Sequence, residues 1–166
     1  DMSKRELPKL EEKLESLEKK NHIKYDDMQK KAIIKAINNN LTIITGGPGT
    51  GKTTIIKAIV SLLKDTCKVK LEDIALLAPT GRASKKMMES TGVSASTIHK
   101  YLGWDKERNM FRVDAYHPNQ EDYIIVDETS MIDTVLMSSL LKGIKRDAKL
   151  ILVGDYFQLP SVSQGQ

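Results

Sequence analysis

Apolar positions along this 166-residue chain change their period several times, and each change marks an element. Leu7, Leu10, Leu14 and Leu17 recur at alternating spacings of three and four. That spacing predicts an amphipathic helix over 7–20, with Pro8 in the first turn, where a missing N–H is harmless. Asp26-Asp27-Met28-Gln29 reads as a helix start, Ala32, Ile33, Ala36 and Ile37 as its inner face, and Asn38-Asn39-Asn40 as its end. Four short runs, 41–45, 74–78, 123–126 and 150–153, are apolar and rich in β-branched residues. Between them the period returns to helical, at Ile55, Ile56, Ile59, Val60, Leu62 and Leu63, over 81–90 up to Gly92, and over 133–142 up to Gly143. Buried strands alternating with helices predict an α/β fold with a mainly parallel sheet and helices on both faces. The stretch from Ser94 to Asp122 follows neither period and reads as short strands and turns, bending at Gly103 and Asn109.

The first predicted strand runs straight into Gly46-Gly47-Pro48-Gly49-Thr50-Gly51-Lys52-Thr53-Thr54. Gly46, Gly51, Lys52 and Thr53 fit G-x-x-x-x-G-K-[ST], and the strand before and helix behind supply the context that motif requires. Glycine permits positive φ and leaves no Cβ in the way, so backbone N–H groups can converge on an anion, helped by the helix dipole. A nucleoside triphosphate is the expected guest, with Lys52 on the β and γ phosphates and the Thr53 hydroxyl on Mg²⁺. A glycine-rich turn without a ligand is the plain alternative. The third predicted strand ends in Asp127-Glu128. Ligands of open α/β sheets sit beyond the carboxyl ends of the strands, so Asp127 is expected at Mg²⁺ and Glu128 at the attacking water. Alone, the pair could merely cap the helix that follows.

Composition narrows the setting. A hydrophobic content of 40% without biased tracts suits one globular domain rather than a disordered chain. No apolar run approaches the roughly 20 residues of a membrane span, and a single cysteine, Cys67, forbids an internal disulfide, so a reducing, cytoplasmic setting with no membrane partner is expected. The net charge of +4 is unevenly placed. Residues 80–112 hold Arg82, Lys85, Lys86, Lys100, Lys106, Arg108 and Arg112 against Glu89, Asp105 and Glu107. Tyr101, Trp104, Phe111 and Tyr116 lie in or just beyond that stretch. Cations mixed with aromatics suit the phosphates and bases of a single strand, and equally suit a solvated basic face over an aromatic core.

Six segments in order, YDDMQKKAI, ITGGPGTGKTT, LLAPTGRASKKM, STIHKYLG, IIVDETSMID and LILVGDYFQLPSV, resemble the first RecA-like motor domain of superfamily 1 DNA helicases. The likeness is to the exodeoxyribonuclease V alpha-subunit branch, with its RecD-like and TraA-like helicases, and it spans residues 23–163. Ser163 stands where that family usually has glycine. The resemblance implies that Gln29 reads adenine, which suits an amide that donates and accepts along one edge; a helix-capping glutamine is the alternative. It implies that Gln158 senses the γ phosphate, that Pro79, Thr80, Gly81 and Arg82 lie along single-stranded DNA, and that Thr97 and His99 contact it too. His99 could instead be a buried structural residue in a loop. The fourth strand is expected between the first and third.

By the same resemblance, residues 1–22 form an upstream helical segment and 23–166 a first motor domain, which implies a second motor domain of the same chain and other subunits of a repair or recombination complex. ATP-driven movement on single-stranded DNA is the expected activity. A nucleotide-dependent DNA-binding module with little turnover, or an ATPase with a non-nucleic-acid client, are the alternatives. Nothing in the chain resembles a nuclease site.

Overall fold

The computed structural model describes residues 6–46 and 51–155. Two helices lead: α1, Glu6–Asn21, and α2, Asp27–Asn38. Strand β1, Leu41–Thr45, precedes α3, Lys52–Asp65, and a 3-10 turn at Leu71–Asp73 leads into β2, Ile74–Ala78. Helix α4, Gly81–Thr91, stops at Gly92, whose φ of 73° is the left-handed conformation that favours glycine. The stretch without a clear period holds β3, Ser96–Thr97, the one-turn helix α5, Ile98–Tyr101, and the pair β4, Trp104–Asp105, and β5, Met110–Phe111. Its expected bends are there, with φ of 67° at Gly103 and 53° at Asn109. The chain then forms β6, Tyr123–Val126, α6, Thr134–Gly143, and β7, Lys149–Gly154.

The main sheet has the order β1-β7-β6-β2-β3 and is parallel throughout, as the alternating pattern predicts. The fourth long strand lies between the first and third, with Ile43 opposite Leu152 and Ile125 opposite Ile151. Strand residues alternate between two cores. Ile44, Leu76, Ile125 and Val153 face a layer built by α1 to α4, while Leu77, Ile124, Val126 and Leu152 face α5, α6 and the β4–β5 hairpin. Each fully buried isoleucine or leucine there contributes about 1.5–3 kcal/mol against solvent exposure. The second layer stops short of β1, where Leu41 and Ile43 are each 54% exposed. Helix α1 docks through Leu10, Leu14 and Leu17 into the same core as α3.

Candidate nucleotide-binding site

Helix α3 starts at Lys52, one residue past Gly51, which has φ of 79°, a conformation cheap only for glycine. A Cβ at Gly51 would come within 2.5 Å of the Gln29 side-chain nitrogen, so Gln29 abuts the glycine loop. The same glutamine also caps α2. The Gln29 N–H donates to the Asp26 carboxylate at 2.7 Å, and the Asp26 N–H donates to Gln29 Oε1 at 3.0 Å. The capping role is therefore present, and it leaves the amide nitrogen turned toward Gly51.

The Lys52 ammonium donates to the Gly46 carbonyl at 3.1 Å and pairs with the Asp155 carboxylate at the end of β7. Thr53 follows it and is exposed, and Thr54 is half-buried. Lys52 lies where two hollows meet. One, of about 450 Å³, includes Gln29, Lys35, Ile43 and Gly46 in its wall. The other, of about 500 Å³, is lined by Lys52, Thr53, Lys86, Asp127, Glu128 and Ser130, among others. The pair after β6 thus lines one cavity with Lys52 and Thr53, the first residues of α3.

Asp127 continues β6, with its N–H donating to the Leu77 carbonyl at 2.9 Å. Its carboxylate accepts the N–H of Glu128 at 2.8 Å. Burial pushes the Asp127 carboxyl up from its ordinary value, opposed by that hydrogen bond and by the charges of Lys52 and Lys86. Glu128 is left-handed, φ 53° and ψ 41°, a conformation that costs a non-glycine residue about 1–2 kcal/mol. Strain of this kind persists where the surroundings over-determine it. Here Thr129, buried behind Glu128, donates its hydroxyl to the Val153 carbonyl at 2.8 Å. A Cβ at Gly154 would lie 2.6 Å from the Thr129 hydroxyl, so only glycine lets β7 approach this closely. The Glu128 turn is clamped between β6 and β7.

The residues expected to contact DNA gather along a different edge. Ala78 pairs with Thr97, which brings Pro79, Thr80, Gly81 and Arg82 beside Thr97 and His99 at the ends of β2 and β3. Thr80 caps α4 by accepting the Ala83 N–H at 3.1 Å, and Thr97 caps α5 by accepting the Lys100 N–H at 3.1 Å. Both hydroxyl protons stay free to donate. His99 sits in the single helical turn of α5 rather than a loop, and it is exposed, so the buried structural role does not hold. Its ring lies 6.0 Å from Trp104 and 5.6 Å from Phe111. Lys86 parts from the other basic residues of its segment by lining the nucleotide cavity, and Asp155 and Thr129 are further site residues that the sequence reading left without a role. Spacing gave no signal for any of the three, since Lys86, one helical turn beyond Arg82, reads by spacing as another cation of the DNA side. Gly47, Pro48, Gly49, Thr50, Gln158 and Ser163 lie outside the described residues.

A glycine loop between strand and helix, a parallel sheet with the last strand between the loop strand and the acidic strand, and a lysine at the junction of two hollows define a RecA-like phosphate-loop nucleotide-binding domain. A family model described as an AAA domain matches residues 29–164, and the chain belongs to that family. It is 39% identical over 160 residues to the RecBCD enzyme subunit RecD of Haemophilus influenzae, covering 84% of this chain and 25% of that protein. It is 43% identical over 127 residues to the ATP-dependent RecD2 DNA helicase of Deinococcus radiodurans, covering 76% of this chain and 17% of that protein. The chain therefore spans about a quarter or less of these two relatives' length. The fold is similar to that of the Pif1 helicase from Candida albicans, with a TM-score of 0.58 at 22% identity over 84% of this chain and 34% of that one. It is also similar to a Bacteroides Pif1 helicase in complex with ADP-AlF3 and single-stranded DNA, with a TM-score of 0.56 at 22% identity and the same coverage. The resemblance carried by the six motifs is borne out.

Proposed function

We propose that this chain is the ATP-hydrolysing first motor domain of a DNA helicase or translocase that moves on single-stranded DNA. The observation that carries it is the cavity that brings Lys52 and Thr53 opposite Asp127 and Glu128. Among the described residues no three His, Cys, Asp or Glu side chains gather to hold a metal, whereas Thr53 and Asp127 offer one hydroxyl and one carboxylate. So sparse an oxygen set fits Mg²⁺, which keeps waters and phosphate oxygens as its other ligands. When bound, the ion would draw charge from the phosphate oxygens. The base fits the smaller hollow beside Gln29, whose amide nitrogen is available to an adenine edge and whose oxygen keeps a second lone pair. Lys52 exchanges the Asp155 carboxylate for phosphate oxygens, and Glu128 orients a water and takes its proton. Gln158, outside the described residues, would report the γ phosphate.

Single-stranded DNA lies along Pro79, Thr80, Gly81, Arg82, Thr97 and His99 in this reading, with the helix N-terminus of α4 adding positive field to its phosphates. The division into an upstream segment over 1–22 and a motor domain over 23–166 belongs to the same reading. So do a second motor domain supplying an arginine finger, partner subunits of a repair or recombination complex, and a cytoplasmic setting. Relatives named as a DNA helicase and as a RecBCD subunit support it. No described helix is long and apolar enough to cross a membrane. The test is ATP hydrolysis by the full-length protein with and without single-stranded DNA, beside Lys52→Ala. Stimulation by the strand, and loss of Mg²⁺-ATP binding in the variant, are expected. Turnover indifferent to single strands would instead favour a client other than nucleic acid.

A further inference from the structure

The larger cavity carries a second lysine on the wall facing α3. Lys86 is exposed on α4 and forms no ion pair or hydrogen bond with any described residue. Its neighbours on the buried face of α4, Ala83 and Met87, line the same cavity and fix how the helix lies against it. Lys52 borders both hollows, whereas Lys86 borders only the one that contains Asp127 and Glu128. A nucleotide whose base sits beside Gln29 crosses Lys52 first and reaches Lys86 last. The other charged groups of that wall are Glu89, Asp127, Glu128 and Asp155, and Lys52 already has Asp155 as its partner. Lys86 thus has no hydrogen-bonded or ion-paired partner among the described residues, its charge reaching Asp127 only at a distance.

We propose that Lys86 contacts the terminal phosphate group, as the γ phosphate of a bound nucleoside triphosphate and as the inorganic phosphate released from it. The inference rests on the nucleotide-site reading above and adds a residue by which the site tells a triphosphate from a diphosphate. A diphosphate would stop short of Lys86, while a triphosphate, held at its β and γ phosphates by Lys52, adds oxygens on the side of the cavity where Lys86 stands. Because α4 begins with Gly81 and Arg82, one short helix would carry a contact for the terminal phosphate and a contact for DNA.

The experiment measures affinities of the full-length protein for Mg²⁺-ADP and for a non-hydrolysable Mg²⁺-ATP analogue. Four variants are compared: Lys86→Gln, Lys86→Arg, Lys52→Ala, and Lys85→Gln, the last altering the adjacent lysine, which does not line the cavity. Losing one charge-assisted contact should weaken the triphosphate about tenfold in Lys86→Gln and leave the diphosphate unchanged. Lys86→Arg should keep most of the preference, and Lys85→Gln all of it. Lys86→Gln with unaltered triphosphate affinity, or with both nucleotides weakened equally, overturns the proposal. Lys52→Ala separates the two levels of the argument. If it binds the triphosphate normally, the nucleotide site itself is misassigned; if it abolishes binding while Lys86→Gln does nothing, only the role of Lys86 falls.

Discussion

The nucleotide cavity and the aromatic hairpin are assembled in opposite ways. The cavity draws Lys52, Lys86, Asp127 and Asp155 from four separate elements, each side chain aimed by the packing of the sheet and its helices. The hairpin gathers His99, Trp104 and Phe111 from one short stretch, with rings of Trp104 and Phe111 4.8 Å apart and β4 paired directly to β5. Ile98 and Leu102 root it in the second core. Chemistry that depends on long-range packing is sensitive to small misfits far from the reacting atoms. A locally built surface tolerates change without disturbing that chemistry.

The largest expected effect tests the chemical half of the contrast. Glu128→Gln should lower turnover by roughly 10²–10⁴ while nucleotide and DNA binding persist, since a general base contributes about that much. Steady-state phosphate release beside a binding titration checks it, and turnover near the parent's would remove Glu128 from that role.

Two glycines sharpen the contrast next. Gly154→Ala drives a Cβ to 2.6 Å from Thr129 Oγ1, and Gly143→Ala drives one to 2.5 Å from Leu102 Cδ2 and 3.1 Å from Val113 Cγ1. Both should cost about 1–3 kcal/mol in denaturant titrations, as overpacked sites do. Only Gly154→Ala should also slow turnover, because only it presses on the turn that holds Glu128. Equal slowing by both would show that the two regions are not independent.

Trp104→Ala addresses the hairpin itself. Trp104 is 38% exposed, so single-strand affinity should fall about tenfold, within the range of a lost stacking contact, while nucleotide affinity and melting temperature hardly move. A large drop in melting temperature with DNA affinity intact would make the ring a core residue.

The smallest effect lies beneath the hairpin, where the Tyr101 hydroxyl donates to Glu121 at 2.6 Å. Burial and then Glu121 push this phenol well above its ordinary value, and burial raises Tyr25 and Tyr123 as well. The folded chain therefore holds protons that the unfolded chain releases above about pH 10, so this stability is complete below that pH and is lost as pH rises past it. Tyr101→Phe should cost about 1 kcal/mol at neutral pH and flatten the alkaline decline. An unaltered alkaline slope would assign the decline to the other tyrosines.

Much of this was legible along the chain, because period and punctuation act locally. The strand at 41–45, the helix stop at Gly92 and the bends at Gly103 and Asn109 each follow from a few neighbouring residues. The position of β7 was readable only through family likeness, since nothing in residues 149–154 says which strands will flank them. Side-chain partners across the sheet were not legible. Asp155 pairs with a lysine 103 residues earlier, and the Thr129–Val153 bond exists only once β6 and β7 lie side by side. Lys86 looked like one more cation in a basic run until α4 was rotated against α3. Gln29 reads as a cap or as a base contact in sequence, and the geometry gives the cap to one end of its amide while leaving the other beside Gly51.

The place of β7 also sets an order of assembly. Residues 41–45 and 123–126 leave the ribosome with facing edges empty, and those edges are filled only when 149–154 slide between them. Pairings such as Leu41 with Leu150 span more than a hundred residues, a topology in which loop closure precedes its reward and folding is slow. Until then Lys52 has no Asp155 to hold it and Glu128 has no neighbouring strand against its turn. Nucleotide, which favours only chains whose site is formed, would therefore act late in biogenesis, trapping the insertion of the last strand rather than guiding the collapse that comes before it.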